Sequence, residues 1–294
     1  MRDQFFEHRD TVFGPYDRCV YCGSDGGGQP LTDEHVIPAA IGGRIILAKA
    51  SCGKCQRATS AFESRCVNTM FAGVRQYYGF TAARGEPHKR RLPVAVHGKE
   101  RREIRAARGE YPTPFSLPVF FEPTCLSLEP DKEILRDAGI CHWMTPEFVP
   151  NARSILLREQ AHTVQVRQRL PIADFGRLLA KIAHCFGTAM LGTDGFEPLL
   201  VDAIIGGDQS ALARYIGCVP RGAALPVQAV EHRFEIRGII VYGGLPDKFV
   251  ALEMDLFEGL PAAPRYIAVF GRANSVTDAR LSEQRRDAES SSAE

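Results

Sequence analysis

Two pairs of cysteines near the N-terminus have the spacing of metal ligands. Cys19 and Cys22 form one Cys-x2-Cys pair, and Cys52 and Cys55 form a second pair after a long intervening loop. Two intervening residues allow both thiolates of a pair to turn toward one ion, and paired motifs of this kind are typical of structural zinc sites. The spacing therefore predicts that the four thiolates bind one structural zinc ion.

The loop between the pairs carries an acid and a histidine side by side. Glu34 precedes His35, and Pro38 and a Gly42–Gly43 turn follow. An unperturbed histidine has a pKa near 6.5, so it can accept a proton at neutral pH, as general-base catalysis requires. His35 is therefore a candidate catalytic base. The alternative is that His35 is a structural residue of a zinc-stapled loop.

The complete pattern C-x2-C … (D/E)-H-x-x-P-x-x-x-G-G … C-x2-C resembles that of the HNH endonuclease family in its zinc-stapled form. Here it reads CVYCG, LTDEHVIPAAIGG and SCGKCQRATSAFE, between Cys19 and Glu63. The resemblance implies a ββα-metal fold, in which a hairpin carries the acid and the histidine and a following helix completes a divalent-metal site. It also implies an endonuclease that hydrolyses phosphodiester bonds in DNA, with RNA as an alternative substrate.

The resemblance implies roles for individual residues. His35 is the general base, and Glu34 and the helix residue Gln56 hold one catalytic Mg²⁺ or Mn²⁺, with other divalent ions as alternatives. Glu63 and Asp33 are candidate substitutes for a weakened ligand. Oxygen ligands suit Mg²⁺ or Mn²⁺ better than they suit zinc, which separates the catalytic metal from the structural one.

Two departures from the family pattern keep a second hypothesis open. Gln56 stands where the family usually has Asn or His, and Lys49 stands where it has Asn. A charged lysine accepts no hydrogen bond, so Lys49 cannot orient the histidine as an asparagine would. The alternative is thus a catalytically inactive, zinc-stabilised module that binds nucleic acid or protein. A thiol-redox protein using one cysteine pair is a third hypothesis, against which no thioredoxin-like βαβ context surrounds either pair.

Positively charged residues that could contact nucleic acid lie within the cysteine-bounded segment and after it. The segment from Arg84 to Arg108 carries an excess of Lys and Arg over Glu, and it is predicted to be a basic hairpin or a strand followed by a charged helix. It is either a phosphate-contacting arm or a solvated face. The candidate nucleic-acid contacts are Arg44, Lys49, Arg57, Lys89, Arg90 and Arg91.

Composition sets bounds on the class of protein. The net charge of +1 requires any basic surface to be local. No apolar run reaches the roughly 20 residues that span a bilayer, and the first ten residues lack the apolar region of a signal peptide. We therefore expect a cytoplasmic protein with no membrane partner and with reduced cysteines. The remaining five cysteines are expected to be small buried residues: Cys66, Cys125, Cys141, Cys185 and Cys218.

The chain is predicted to have an α+β fold in four parts. Residues 1–83 form the ββα-metal module with its structural zinc, and residues 84–115 form the basic connector or hairpin. Residues 116–275 form a larger α+β domain of unknown role, whose protein partner is unidentified. Residues 276–294 are polar and charged, which predicts a disordered tail.

Periodicity predicts the main elements. A helix is expected from Lys54 to about Met70, and Asp174 is a predicted N-cap for the apolar stretch FGRLLAKIAHCFGTAML, with His184 in the core. Two further helices are expected, one near Pro198–Ile205 and one after Asp208.

Alternation of apolar and polar residues predicts a three-stranded meander in the last third of the chain. The strands are FEIRGIIVYGG, KFVALEMDLFEG and PRYIAVFGR, separated by Gly- and Pro-containing turns. Glu253 and Asp255 are expected to face solvent, opposite an apolar face.

Overall fold

The computed structural model describes residues 10–78, 91–126, 138–207, 209–219, 235–242, 248–256 and 263–291. These residues form helices together with sheets that are antiparallel at all but one strand pair, which confirms the predicted α+β class. The strands, in chain order, are β1 (Thr11–Phe13), β2 (Thr32–His35), β3 (Ile45–Ser51), β4 (Leu92–His97), β5 (Arg101–Ala106), β6 (Pro114–Val119), β7 (Gly139–Met144), β8 (Thr163–Gln165), β9 (Phe196–Pro198), β10 (Ile216–Val219), β11 (Glu235–Tyr242), β12 (Phe249–Asp255) and β13 (Arg265–Ala273). The helices are α1 (Gly53–Arg65), α2 (Ala72–Tyr78), α3 (Phe148–Glu159), α4 (Ile172–Leu191), α5 (Ser210–Tyr215) and α6 (Ser275–Ser291).

The N-terminal segment forms the predicted hairpin followed by a helix. Strands β2 and β3 pair antiparallel, β1 adds to β3 in parallel, and α1 begins directly after Cys52. The helix continues as a π-helical turn over Cys66–Met70, so the expected helical stretch from Lys54 to Met70 is confirmed with a change of pitch at its end. The ββα order of the predicted module is confirmed.

The basic segment after this module is a hairpin. Strands β4 and β5 pair antiparallel, and β8 adds to the other edge of β4. This confirms the hairpin and excludes the alternative of a strand followed by a helix. Val94 and Val96 of β4 and Ile155 of α3 form a small separate core beneath the sheet. Lys89 and Arg90 lie outside the described residues.

Helix α4 is the element on which the core is built. Of its 20 residues 14 are buried and none is fully exposed, and it packs against α1, β12 and β13. The helix begins at Ile172, after Pro171, so Asp174 lies in the first turn, and the prediction that it is the N-cap is wrong. The helix starts earlier because Phe175 N–H donates to Pro171 O at 2.8 Å, so the carbonyl of Pro171 accepts the first bond of the helix. Among the described residues, no helix has the length and apolar composition needed to cross a bilayer.

One hydrophobic core crosses the predicted boundary between the module and the C-terminal domain. It includes Phe62 of α1, Phe175 of α4 and Tyr266 of β13, all fully buried. The Phe175 and Tyr266 rings meet edge to face with centroids 5.3 Å apart. The division into separate domains therefore stays a prediction, and the described parts share one core.

The C-terminal meander is confirmed, with one correction. The sheet order is β10-β13-β12-β11, and β9 pairs with β13. The prediction that Asp255 faces solvent is wrong, because both faces of β12 are covered and Asp255 is 1% exposed. Its carboxylate accepts a hydrogen bond from Arg265 Nε at 3.2 Å, which supplies the partner that a buried charge requires.

Of the two shorter helical predictions, the first is confirmed in position but not in form, and the second is confirmed. The segment near Pro198–Ile205 contains β9 followed by a π-helical turn over Asp202–Gly206, and α5 follows Asp208 as expected.

The prediction of a disordered tail from residue 276 is wrong for the described part. Helix α6 runs to Ser291, and Asn274 Oδ1 accepts hydrogen bonds from the backbone N–H groups of Val276 and Thr277 at 3.0 Å. This is N-capping, which stabilises a helix whose composition alone does not predict one. Asp278 and Arg280 also form ion pairs with residues of the domain.

The contact between α4 and β13 leaves no room for a side chain at Gly187. A Cβ there would lie 2.3 Å from a carbon of the Phe270 ring. Alanine normally stabilises a helix relative to glycine, but overpacking a core costs roughly 1–3 kcal/mol. We predict that Gly187→Ala lowers the midpoint of thermal unfolding, measured by circular dichroism. Gly206→Ala is the control, because no atom lies within 4 Å of a Cβ at that position; equal midpoints for both variants would contradict the packing described.

Candidate metal centres and active site

The four paired cysteines form a compact cluster. The Sγ atoms of Cys19, Cys22, Cys52 and Cys55 all lie within 4.8 Å of one another, and Cys22 Sγ and Cys52 Sγ are 3.7 Å apart. Tetrahedral zinc with Zn–S bonds near 2.3 Å requires S···S distances of about 3.8 Å. Among the described residues this is the one group of three or more potential ligands close enough to hold a metal. The predicted cysteine cluster is confirmed, and its donors suit structural zinc.

Local backbone structure brings the two pairs together. The first pair forms a tight turn in which Gly23 N–H donates to Cys19 O at 2.8 Å and Gly23 has a φ of 70°. Cys52 is the N-cap of α1, and Cys55 lies in the first turn. The positive end of the helix dipole favours thiolates at these positions. Burial acts to raise the pKa of Cys52, but hydrogen bonds from the Cys55 N–H and from neighbouring thiols lower it to about 7.

The first cysteine turn is anchored to α4. The buried Tyr21 hydroxyl lies 3.1 Å from Cys185 Sγ, and its ring stacks on His184 at 5.5 Å. His184 Nε2 donates to Val20 O at 2.8 Å. His184 is thus the core histidine that was predicted. Of the other cysteines, Cys66 and Cys185 are buried as expected, and the remaining three are half-buried.

Glu34 and His35 lie at the end of β2, where the hairpin carries an irregularity. Thr32 pairs with Ser51 and Glu34 pairs with Leu47, so β3 contains extra residues opposite Asp33. Lys49 has a left-handed φ of 51°, and its N–H donates to Asp33 Oδ1 at 2.9 Å. A short acidic side chain that binds a backbone N–H stabilises such a bulge. Asp33 therefore has a backbone role, and the Lys49 side chain is exposed.

The structure adds a residue to the site that the sequence analysis did not identify. Lys181, in the middle of α4, is fully buried, and its Nζ lies 2.7 Å from Glu34 Oε1 and 2.7 Å from Glu63 Oε1. The same ammonium donates to His35 O and lies 3.4 Å from Val36 O. The signal in the sequence was a lysine inside the apolar run LLAKIA of this helix, since a buried lysine requires paired partners.

Burial and charge oppose each other in this cluster. Burial acts to lower the pKa of Lys181, but Glu34 and Glu63 raise it above its ordinary value, so the side chain is an ammonium ion. Burial raises the pKa of Glu63, and the ammonium opposes that rise. The Glu63 contact is an ion pair without hydrogen-bond geometry, because no donor is aligned with Oε1. Two carboxylates and one ammonium leave a net charge of −1.

His35 has the protonation state that a general base needs. Its side chain is half-buried, and burial followed by the nearby Lys181 charge lowers its pKa below the ordinary value. A lowered pKa favours the neutral imidazole at pH 7, and a neutral imidazole has one ring nitrogen that can accept a proton.

The other predicted residues have been placed as follows. Gln56 lies half-buried in the first turn of α1, and its N–H donates to Cys52 O. Arg44, Arg57 and Arg91 are exposed, and Arg44 makes a weak surface contact with Asp10 at 3.7 Å. The structure brings Glu34 and Glu63 together, and it does so around Lys181.

The oxygens of this site fit a divalent ion in chemistry and charge, with one restriction. Glu34 offers its second oxygen and Gln56 offers an amide oxygen, which are donors that Mg²⁺ and Mn²⁺ accept. Glu63 is different, since its buried Oε1 faces the Lys181 ammonium. Glu34 and Gln56 therefore carry donor types that such an ion accepts, and an ion shared by Glu34 and Glu63 would have to displace Lys181.

Comparison with known proteins adds one family match. Residues 19–69 match the family described as HNH endonuclease. The match covers the cysteine cluster, β2, β3, α1 and part of the π-helical turn, and it ends far before Lys181. No curated protein and no solved structure matches the chain.

We predict that Cys52→Ser loses zinc and stability together. Removing one thiolate weakens a closed four-sulfur site, and metal binding is coupled to folding in small modules. Zinc content by elemental analysis after dialysis against a chelator should fall to a small fraction of the wild-type value, with a lower unfolding midpoint. Cys141→Ser, on β7 and outside the cluster, should keep both. Unchanged zinc in Cys52→Ser would contradict the four-cysteine site.

Proposed function

Because residues 19–69 are an HNH-type module with a zinc-binding cysteine cluster, we propose that this protein is a metal-dependent endonuclease that hydrolyses phosphodiester bonds in DNA. The observation that carries the proposal is His35, a half-exposed histidine of lowered pKa at the end of β2. His35 directly follows the buried Glu34, on the β2–β3 hairpin, which adjoins the cysteine cluster.

The proposed chemistry begins with the imidazole of His35. Neutral His35 accepts a proton from a water molecule that attacks the phosphorus atom, which makes the water nucleophilic at neutral pH. The bond from phosphorus to the leaving sugar oxygen breaks, and that oxygen takes a proton from solvent water. Because the pKa of His35 is lowered, the base form predominates at pH 7, although a lower pKa also weakens its pull on the proton. The β2–β3 hairpin holds the backbone beside His35 in place, since Val36 N–H donates to Ile45 O at 2.9 Å.

Glu34 and Gln56 are the residues that would hold the catalytic metal. When bound, Mg²⁺ or Mn²⁺ supplies stabilisation of negative charge on the phosphate. Lys181 holds Glu34 against α4, because its ammonium contacts Glu34 Oε1 at 2.7 Å from the core side. Glu34 therefore presents an already ordered carboxylate.

Exposed basic residues supply candidate contacts to the phosphate backbone. Lys49 and Arg57 are exposed near the ends of β3 and α1 that adjoin the cysteine cluster, and Arg44 is exposed at the start of β3. On the β4–β5 hairpin, Arg91, Arg101 and Arg105 are exposed. Binding through such residues releases counterions from DNA and weakens as salt rises.

A second candidate function is favoured by the contacts of Lys181. Its ammonium neutralises one of the two acids at the site, and Gln56 replaces a shorter ligand, so a nucleic-acid-binding module without hydrolysis is the alternative. The two candidates differ in whether the wild-type protein cuts DNA at all.

We predict that wild-type protein nicks or cuts supercoiled plasmid in Mg²⁺ or Mn²⁺, and that His35→Ala slows this reaction by about 10²–10⁴-fold, the usual contribution of a general base. The measurement is the rate of conversion of supercoiled plasmid at saturating metal, with zinc content determined for both proteins. A parallel assay on single-stranded RNA tests the substrate class.

His162→Ala is the matched control, because His162 is an exposed histidine that follows α3 and lies outside the matched segment. It should cut at the wild-type rate. Equal cutting by His35→Ala and wild type would refute His35 as the base. DNA binding without cutting, in wild type and in both variants, would replace the nuclease proposal by the binding-module alternative.

A further inference from the structure

The contacts of Lys181 have the form of a cation-binding site. Four oxygen atoms surround one positive charge: Glu34 Oε1 and Glu63 Oε1 at 2.7 Å, with His35 O and Val36 O. Two carboxylates and two backbone carbonyls are also the donor types that hard divalent cations choose. The ammonium and the Lys181 side chain that carries it are completely buried.

Hydrogen bonding does not fully account for the arrangement. Glu63 Oε1 is buried and has no aligned hydrogen-bond donor, although the ammonium is only 2.7 Å away. The ammonium therefore stabilises this carboxylate oxygen through its charge and not through a directional hydrogen bond. A spherical metal cation would satisfy it equally well, because a metal ion imposes no N–H direction.

We propose that Lys181 is the resident cation of an acid-lined site, in which its ammonium occupies the position that a divalent ion would take between Glu34 and Glu63. The proposal builds on the proposed function only in that Glu34 is also a ligand of the catalytic metal. Glu34 is then shared between one divalent ion and one ammonium.

This arrangement limits the site to a single divalent ion. Two-metal nuclease sites hold ions about 3.5–4 Å apart, bridged by a carboxylate. Glu34, with Glu63 beyond it, offers such a bridge, but the second position carries the ammonium. Because Lys181 belongs to α4, outside residues 19–69, the C-terminal part of the chain supplies this cation to the module.

The test counts the Mn²⁺ ions bound by zinc-loaded protein, using equilibrium dialysis or Mn²⁺ electron spin resonance. We expect Lys181→Met to bind one Mn²⁺ more than wild type. The double variant Lys181→Met with Glu63→Gln lacks one of the two acids and should return to the wild-type number. Arg177→Met is the control on the same helix, since Arg177 donates to Ala203 O and Ile204 O and does not contact the acids; it should also bind the wild-type number.

Stability provides a second measurement that stays informative if the single variant folds poorly. Without its ammonium, Lys181→Met leaves two buried carboxylates facing each other, so its unfolding midpoint should fall and should be restored by Mn²⁺. Mn²⁺ should not raise the unfolding midpoint of Arg177→Met or of the double variant.

Equal or lower Mn²⁺ binding by Lys181→Met than by wild type overturns the proposal. So does a Lys181→Met protein that Mn²⁺ fails to stabilise while the double variant folds without it. The nuclease proposal is judged separately, by plasmid cutting of the wild type. If Lys181→Met binds one more Mn²⁺ and the wild type does not cut plasmid, the proposal for Lys181 holds and the nuclease proposal is refuted.

Discussion

The buried ammonium of Lys181 is the interaction on which the rest of the structure depends. It lies between Glu34 on the hairpin and Glu63 on α1, and it reaches both from α4. Buried charges are expensive to remove from water and persist only when they are paired and hydrogen-bonded, so the three elements must keep one relative position. Removing the ammonium leaves two uncompensated buried carboxylates, and breaking a buried ion pair in this way typically costs about 3–5 kcal/mol.

Two sets of contacts therefore hold the β2–β3 hairpin in place. The cysteine cluster joins the turn after Cys19 to the start of α1, and the Lys181 cluster joins the end of β2 to the core helix α4. The stacked rings of Tyr21 and His184 connect the cysteine cluster to α4, the helix that carries Lys181. His35 lies between them, with its backbone carbonyl bound by Lys181 and its ring half-exposed. A rigid backbone with a reachable side chain is the arrangement that a general base requires.

Much of this module could be predicted because its information is local in the sequence. Cysteine spacing indicated the cluster, and the adjacent Glu34 and His35 indicated the candidate acid and base. The meander was predictable from strict alternation. Lys181 was not predictable in the same way, since 146 residues separate it from His35 along the chain. Only the packing of α4 against α1 brings its ammonium to the acids.

Two of the wrong predictions, those for Asp255 and for the tail, share a physical cause. Asp255 was expected at the surface because alternation of apolar and polar residues is typical of a strand with one solvent-exposed face. Both faces of β12 are covered in this structure. The tail was expected to be disordered because its composition is polar, but the Asn274 cap and two ion pairs order its first turns. In each case a tertiary contact overrode a local pattern. A tertiary contact also places Glu63, a candidate metal ligand, beside the Lys181 ammonium.

The most direct measurement of the central claim is anomalous X-ray scattering from wild-type crystals soaked in MnCl₂, recorded at the manganese and zinc edges. The account predicts a zinc peak among the four cysteine sulfurs, and the Lys181 ammonium between Glu34 and Glu63 with no manganese peak at that position. A manganese peak between the two carboxylates, with the Lys181 side chain displaced, would contradict it.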